Sequence, residues 1–397
     1  MLQRHSYLTK LIQYKDTEFV KVISGVRRSG KSFLLKMFQE YLNTVVTDET
    51  IMFLNFEHPD TFGLLSYDAL YRYIKEKIDP NKKAYFLFDE IQEVNNWQKL
   101  VNGLRVAYNC DIYITGSNAN LLSGEMATYL TGRYVEIQIF PLTFEELLGY
   151  KNVTDLKGKQ VMFDSYLKFG GFPSVALLDH DELKKDVLKG IYNSIILKDV
   201  SLRANISNID LLLKISLYLM DNIGNAVSSN KIANYLTSSG TKTKGETVEK
   251  YLSLLEDSFT FYKAVRYDIR GKERLKTLGK YYVVDTGIRN SVLGRLNTDM
   301  GSQIENIVFL KLMQSGYEVF VGKYDDVEID FVCFKNEVVK YVQVTYEMPK
   351  DSDREIRNLL LVRDNYERII VTMNYFDVGN VNGIQIIHLY DFLEKNI

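Results

Sequence analysis

A chain of 397 residues, 46% hydrophobic, holds enough apolar material for more than one core. Its net charge of −2 excludes a global field that recruits nucleic acid, so any such contact needs a local patch. No run approaches the roughly 18 apolar residues that span a bilayer, and the first residues lack a signal-peptide core, so a cytoplasmic protein without a membrane partner is expected. Cys110 and Cys333 stand alone, and the four histidines are scattered, which points to reduced structural thiols and away from a histidine-built metal site.

Strand-like and helix-like segments alternate from residue 19 to 140. "FVKVIS", "IMFLNFE", "AYFLFDE", "DIYITGS" and "VEIQIF" read as short apolar strands. Helical patterns lie between them, from Lys31 to about Leu42, along "YDALYRYIKEKI", and around Trp97 to Ala107. That alternation predicts an α/β domain with a parallel sheet covered on both faces.

A glycine-rich turn follows the first strand. Gly25, Gly30, Lys31 and Ser32 satisfy G-x-x-x-x-G-K-[ST] and open a helix. Glycines let the backbone N–H groups curl around a polyphosphate, and the helix N-terminus adds positive potential. Lys31 then reaches the outer phosphates and Ser32 ligates magnesium. The expected nucleotide cradle comprises Gly25, Arg28, Ser29, Gly30, Lys31, Ser32 and Phe33, with Arg27 and Arg28 also compatible with plain solvent exposure. "YFLFDE" supplies carboxylates at a strand end, Asp89 for magnesium and Glu90 to orient or deprotonate water. Since another strand separates these two in sequence, the order fits a sheet in which "DIYITGS" lies between them. Ser117 and Asn118 would then face the γ-phosphate, although a plain polar turn explains them equally well.

"GVRRSGKSFLL", "FLFDEIQEVNNW", "ITGSNANLLS", "LTGRYVEIQIFPLTFEELL" and "FGGFPSV" together resemble the AAA+ superfamily (P-loop) ATPases of bacteria and archaea that carry a C-terminal domain of uncharacterised function. The resemblance implies ATP and Mg2+ as ligands, Asp89 on the metal, Glu90 as the activator of water and Ser117 as a γ-phosphate sensor. Arg133 would be a phosphate-facing arginine acting in cis or across subunits, or else a surface ion-pair partner. "FGGFPSV" reads as a structural turn under a helical lid.

From about residue 205 three helical segments, "NIDLLLKISLYLMDN", "SSNKIANYLTSSG" and "TKGETVEKYLSLLEDS", precede two strands joined by the turn "IRGKERLKTLG". That order is the order of a winged helix-turn-helix. Between Phe261 and Lys280, seven basic residues (Lys263, Arg266, Arg270, Lys272, Arg274, Lys276 and Lys280) outnumber Asp268 and Glu273. Arg266, Arg270, Lys272, Arg274 and Lys276 are the expected contacts if the wing straddles DNA. Protein contact and an intramolecular lid are the competing uses.

The last hundred residues read as a helix and then strands, and resemble the PD-(D/E)xK nuclease-like (restriction-endonuclease-like) fold. Glu305, Asp330 and Gln343 occupy its acidic and amide positions, and Thr345 stands where that resemblance implies a lysine. Threonine carries no positive charge, so a degenerate scaffold is expected in preference to a nuclease. The anticipated layout is an ATP-binding domain at 1–150, a helical lid at 151–204, a winged helix at 205–298 and the nuclease-like domain at 299–397. A magnesium-dependent ATPase acting as a switch or motor on DNA or a DNA-associated partner is the leading expectation. An ATP-gated protein-interaction module is the alternative.

Overall fold

The computed structural model describes residues 4–47, 50–119, 130, 132–202, 204, 206, 208–294, 300–349 and 353–395. Two units emerge: one runs to Pro141 and includes Asp257–Phe259, and the other holds the remainder.

In the first unit, strands β1 (Val20–Ser24), β2 (Thr50–Asn55), β3 (Ala84–Asp89), β4 (Cys110–Gly116) and β5 (Tyr134–Gln138) form one parallel sheet in the order β2-β3-β4-β1-β5. The strand "DIYITGS" therefore lies between the glycine-turn strand and the acidic strand, as the sequence predicts. Alternation along each strand gives the sheet two apolar faces. Val22, Phe86, Phe88, Ile112 and Ile114 pack with Leu70 and Ile74 of α3 (Tyr67–Lys77) and with Trp97, Leu100 and Leu104 of α4 (Trp97–Ala107). On the other face Ile23, Leu87, Tyr113 and Ile137 meet Leu34, Leu35, Phe38 and Leu42 of α2 (Lys31–Val45), and Tyr7 and Leu11 of α1 (His5–Gln13). Lys21 and Asp111, both buried, pair across β1 and β4 at 2.5 Å.

The second unit begins with α5 (Phe144–Lys151), α6 (Leu156–Phe169) and α7 (Asp181–Ser194). Then come α8 (Ile209–Asp221), α9 (Ser229–Ser238) and α10 (Gly245–Asp257), with β6 (Ala226–Val227) between α8 and α9. The hairpin β7 (Phe261–Asp268) and β8 (Glu273–Val283) is longer than its sequence suggests. Glu273, Arg274, Leu275 and Gly279, expected as part of the turn, already pair with β7, and the register shifts between Val265 and Arg266, where the β8 side carries the extra residues.

After α11 (Thr286–Leu293) and α12 (Met300–Gln314) come β9 (Glu318–Tyr324), β10 (Val327–Lys335) and β11 (Val338–Thr345). Helix α13 (Arg354–Leu361) crosses over to β12 (Glu367–Thr372), and β13 (Gly379–Val381), β14 (Ile384–His388) and α14 (Leu389–Glu394) follow. β9, β10 and β11 are antiparallel, and β12 joins β11 in parallel. Strand β7 pairs with β9 through Arg266–Asp268, so the hairpin and the later strands share one nine-stranded sheet, β13-β14-β12-β11-β10-β9-β7-β8-β6. This sheet runs across the expected 298/299 boundary. No described helix is long and apolar enough to cross a membrane.

Candidate functional site

The end of β1 turns sharply at Gly25, whose φ of +138° suits glycine, and an added Cβ would lie 2.1 Å from the Ile139 carbonyl oxygen. Gly30 (φ +101°) opens α2, whose first turn holds no acidic side chain. The first N–H groups of a helix lack intrahelical acceptors, so they are free to face an anion. Lys31 is buried and donates to the carbonyl oxygens of Gly25 (2.9 Å) and Val26 (3.1 Å), which centres its ammonium inside the turn. The buried Ser29 hydroxyl has no protein partner there. An anionic polyphosphate fits this set of donors.

Asp89 joins the turn from the neighbouring chemistry. One of its oxygens accepts from Ser32 (3.0 Å) and Thr115 (2.6 Å), and the other accepts from Asn55 (2.8 Å). Burial pushes the Asp89 carboxyl above its ordinary range, against those hydroxyl hydrogen bonds. Ser32 beside Asp89 is a fitting oxygen pair for magnesium, a hard cation. Glu90 follows in a left-handed conformation (φ +54°), its N–H bonded to Thr115 Oγ1 at 2.9 Å and its carboxylate accepting from Gln92.

Three partners here escape sequence reading. Asn55 and Thr115 end β2 and β4, and each ties Asp89 in place. Arg4, almost wholly buried, donates to the carbonyls of Ser29 (2.9 Å) and Phe140 (2.8 Å) and so braces the turn from outside. Strand-end position was the available signal for the first two; nothing local marks Arg4.

Ser117 and Asn118 are buried just past the end of β4, at the end of the sheet where Ser24 aligns with Gly116. Phe33 is half-buried in α2, Arg28 is exposed, and Arg27 pairs with Glu57 at 3.3 Å. Arg133 requires a correction. It precedes Tyr134, which aligns with Val20 at the start of β1, so roughly 20 Å of strand separates it from Gly25 in the glycine turn. A phosphate contact in cis is closed to it.

The hairpin's cations are placed differently from a free basic wing. Arg266 pairs with Glu328 (3.9 Å), Arg270 with Asp325 (2.9 Å) and Arg274 with Glu318 (2.9 Å). Lys272 is exposed at the turn, while the Lys276 side chain lies outside the described residues. Lys280 is buried and shares Glu328 with Arg266. Its ammonium lies 3.0 Å from Glu305, 3.0 Å from Glu328 and 3.8 Å from Asp330. Burial opposes that charge, and the three carboxylates outweigh it, raising the lysine's proton affinity.

The positions expected at the degenerate nuclease site do converge. Glu305 also accepts from Tyr282 at 2.6 Å. Asp330 accepts from the Val344 N–H (2.8 Å) and donates its own N–H to the Gln343 amide oxygen (3.2 Å). Burial and Glu305 push the Asp330 carboxyl up, opposed by Lys280 and the Val344 N–H. Thr345 bonds locally to the Glu347 carbonyl. Among the described residues, no three acids, histidines or cysteines are disposed to hold one metal ion.

A family model described as an AAA domain matches residues 17–148, and a domain of unknown function matches residues 160–299. An uncharacterized protein of Haemophilus influenzae is 48% identical over 397 residues, covering 99% of this chain and 98% of that one. The chain belongs to that protein's family. An uncharacterized protein of Methanocaldococcus jannaschii, 33% identical over 89% of this chain and 82% of its own, extends the family to a second organism. Among solved structures, a Walker-type ATPase of Pyrococcus abyssi superposes with a TM-score of 0.52 at 16% identity, covering 74% of this chain and 96% of that one. That likeness is one of fold. Residues 17–148 of this chain are thus an AAA domain, and the glycine turn, Asp89 and Glu90 lie at the polar end of its sheet.

Proposed function

We propose that this protein binds and hydrolyses ATP and uses the cycle as a switch or motor on DNA or a DNA-associated partner. The observation that carries the ATPase reading is the hydrogen bond between Ser32 and Asp89, which brings the phosphate-binding turn and the acidic strand to one point. Backbone N–H groups from Gly25 to Ser32, with Lys31, would hold the polyphosphate, and Ser32 and Asp89 would hold magnesium. Bound there, magnesium supplies charge neutralisation at the β- and γ-phosphates. Glu90 orients and deprotonates the attacking water, and Ser117 stands ready to sense the γ-phosphate.

Helices α8 to α10 followed by the β7–β8 hairpin support a winged-helix reading of the middle. The helix–strand order from α12 to β12 supports a nuclease-like scaffold without nuclease chemistry. A second reading, an ATP-gated module that contacts protein and not DNA, is favoured by one observation: Arg266, Arg270 and Arg274 already have carboxylate partners. Lys31→Ala should lose nucleotide affinity and Glu90→Gln should retain it while losing turnover. Full turnover in Glu90→Gln overturns the catalytic assignment. Magnesium-dependent ATP turnover measured with and without duplex DNA across a salt series separates the two readings. DNA stimulation that fades steeply with salt supports the first, and its absence supports the second.

A further inference from the structure

The Lys280 ammonium lies where carboxylates from two elements converge: Glu305 of α12, and Glu328 and Asp330 of β10. A hard divalent cation requires oxygens at roughly 2.0–2.6 Å, and these, spread 3.0–3.8 Å around the ammonium, are held too wide to grip a metal while the lysine is there. The lysine comes from β8 and is almost fully buried. Other groups hold the same side chains. Glu305 takes the Tyr282 hydroxyl on the same oxygen that faces Lys280, Asp330 takes the Val344 N–H, and the Gln343 oxygen takes the Asp330 N–H. Lys340, the lysine on β11, cannot compete for the position, since it pairs with Glu367 at 3.0 Å on β12.

We infer that Lys280 is the permanent cation of this cluster, an ammonium that takes the place of a divalent metal and fastens the β7–β8 hairpin to α12 and β10. The ammonium and a divalent ion cannot share the position, because like charges so close repel strongly in a site with little water. Lysine also presents directed N–H donors, with Glu305 and Glu328 each at 3.0 Å and Asp330 reached only through charge at 3.8 Å. One side chain carried in from a neighbouring hairpin puts a positive charge where these acids meet, and Arg266 adds a second at Glu328. The inference rests on the scaffold reading of the C-terminal strands, and it is independent of ATP hydrolysis.

The test is Mn2+ binding to the nucleotide-free full chain, followed by spin resonance of the bound ion and by thermal melting. The wild type and Asp330→Asn should bind Mn2+ identically, with no ion assigned to the cluster. Lys280→Met keeps most of the length and loses the charge; it should gain a Mn2+ site and a melting temperature that rises by about 5 °C in a hundredfold excess over Kd. Adding Glu305→Gln to Lys280→Met should abolish that gain. Mn2+ binding in the wild type that disappears in Asp330→Asn overturns the inference, as does a folded Lys280→Met that ignores Mn2+. If Lys280→Met does not fold, the comparison of wild type with Asp330→Asn decides alone. Asp330-dependent Mn2+ binding without cleavage of plasmid DNA overturns only the inference. The same binding with cleavage overturns the scaffold reading as well.

Discussion

Thr115 shows how much of the nucleotide site depends on a residue with no motif of its own. Its hydroxyl donates to Asp89 and accepts from the Glu90 N–H, so one oxygen fixes the Asp89 carboxylate and the backbone from which Glu90 projects. A hydrogen bond to a charged group contributes about 1.5–3 kcal/mol. Thr115→Val should therefore lower kcat about 10- to 100-fold while changing nucleotide affinity less, and Thr115→Ser should recover most of the loss. Steady-state kinetics that show a KM effect with unchanged kcat would refute this positioning role. Gly30, Lys31 and Ser32 were legible because their chemistry demands a fixed spacing. Thr115 and Asn55 were not, since a polar residue ending a strand looks the same whether it faces solvent or a buried aspartate. Arg4 was less visible still, because its acceptors lie 25 and 136 residues away in the chain.

At the scale of elements, the paired glycines of "FGGFPSV" have a specific partner. Asp285, the cap of α11, accepts the N–H of Gly171 at 2.7 Å and of Ile288 at 3.1 Å. Gly170 adopts φ +69°, and an added Cβ would lie 2.0 Å from the same carboxylate, so the turn and the cap fit together only with glycine there. The sequence marked the turn as structural without showing what holds it. Burial pushes Asp285 up to about 6 from 3.8, opposed by those N–H donors. The folded chain thus holds this proton more tightly than the unfolded chain does. Its contribution to stability is complete below about pH 3.8 and is lost as pH rises through about 6, a span of about 3 kcal/mol. Asp285→Asn keeps an acceptor oxygen but does not titrate. The stability of wild type relative to Asp285→Asn should fall by up to that amount between pH 4 and pH 7, read from urea melts at each pH. A difference that stays flat across this window would contradict the assignment.

At the scale of the whole molecule, strand pairing and charge pairing in the second unit tell the same story. The sequence showed a helix–hairpin segment and a later helix–strand segment as separate patterns, and it showed an excess of cations in the hairpin. A charge count over neighbouring residues cannot see partners 44 or 55 positions away, which is where Glu318 and Asp325 lie from Arg274 and Arg270. Exposed pairs of this kind contribute little singly. The ladder between β7 and β9 and the buried Lys280 contacts are a different matter, since breaking them exposes backbone groups and leaves carboxylates without their cation. The hairpin and the strands from β9 to β12 should accordingly open together. In native-state hydrogen exchange of the full chain, the slowest amides of β7 and β8 should share one opening free energy with those of β9 to β12, within about 0.5 kcal/mol. A hairpin that opens at a distinctly lower free energy would mean that it moves on its own, as a free wing does. Under the expected result, any motion driven by ATP carries the hairpin and the C-terminal strands as one rigid piece. The partner is then met by that combined surface, in which Lys272 is exposed and the hairpin arginines face their own carboxylates.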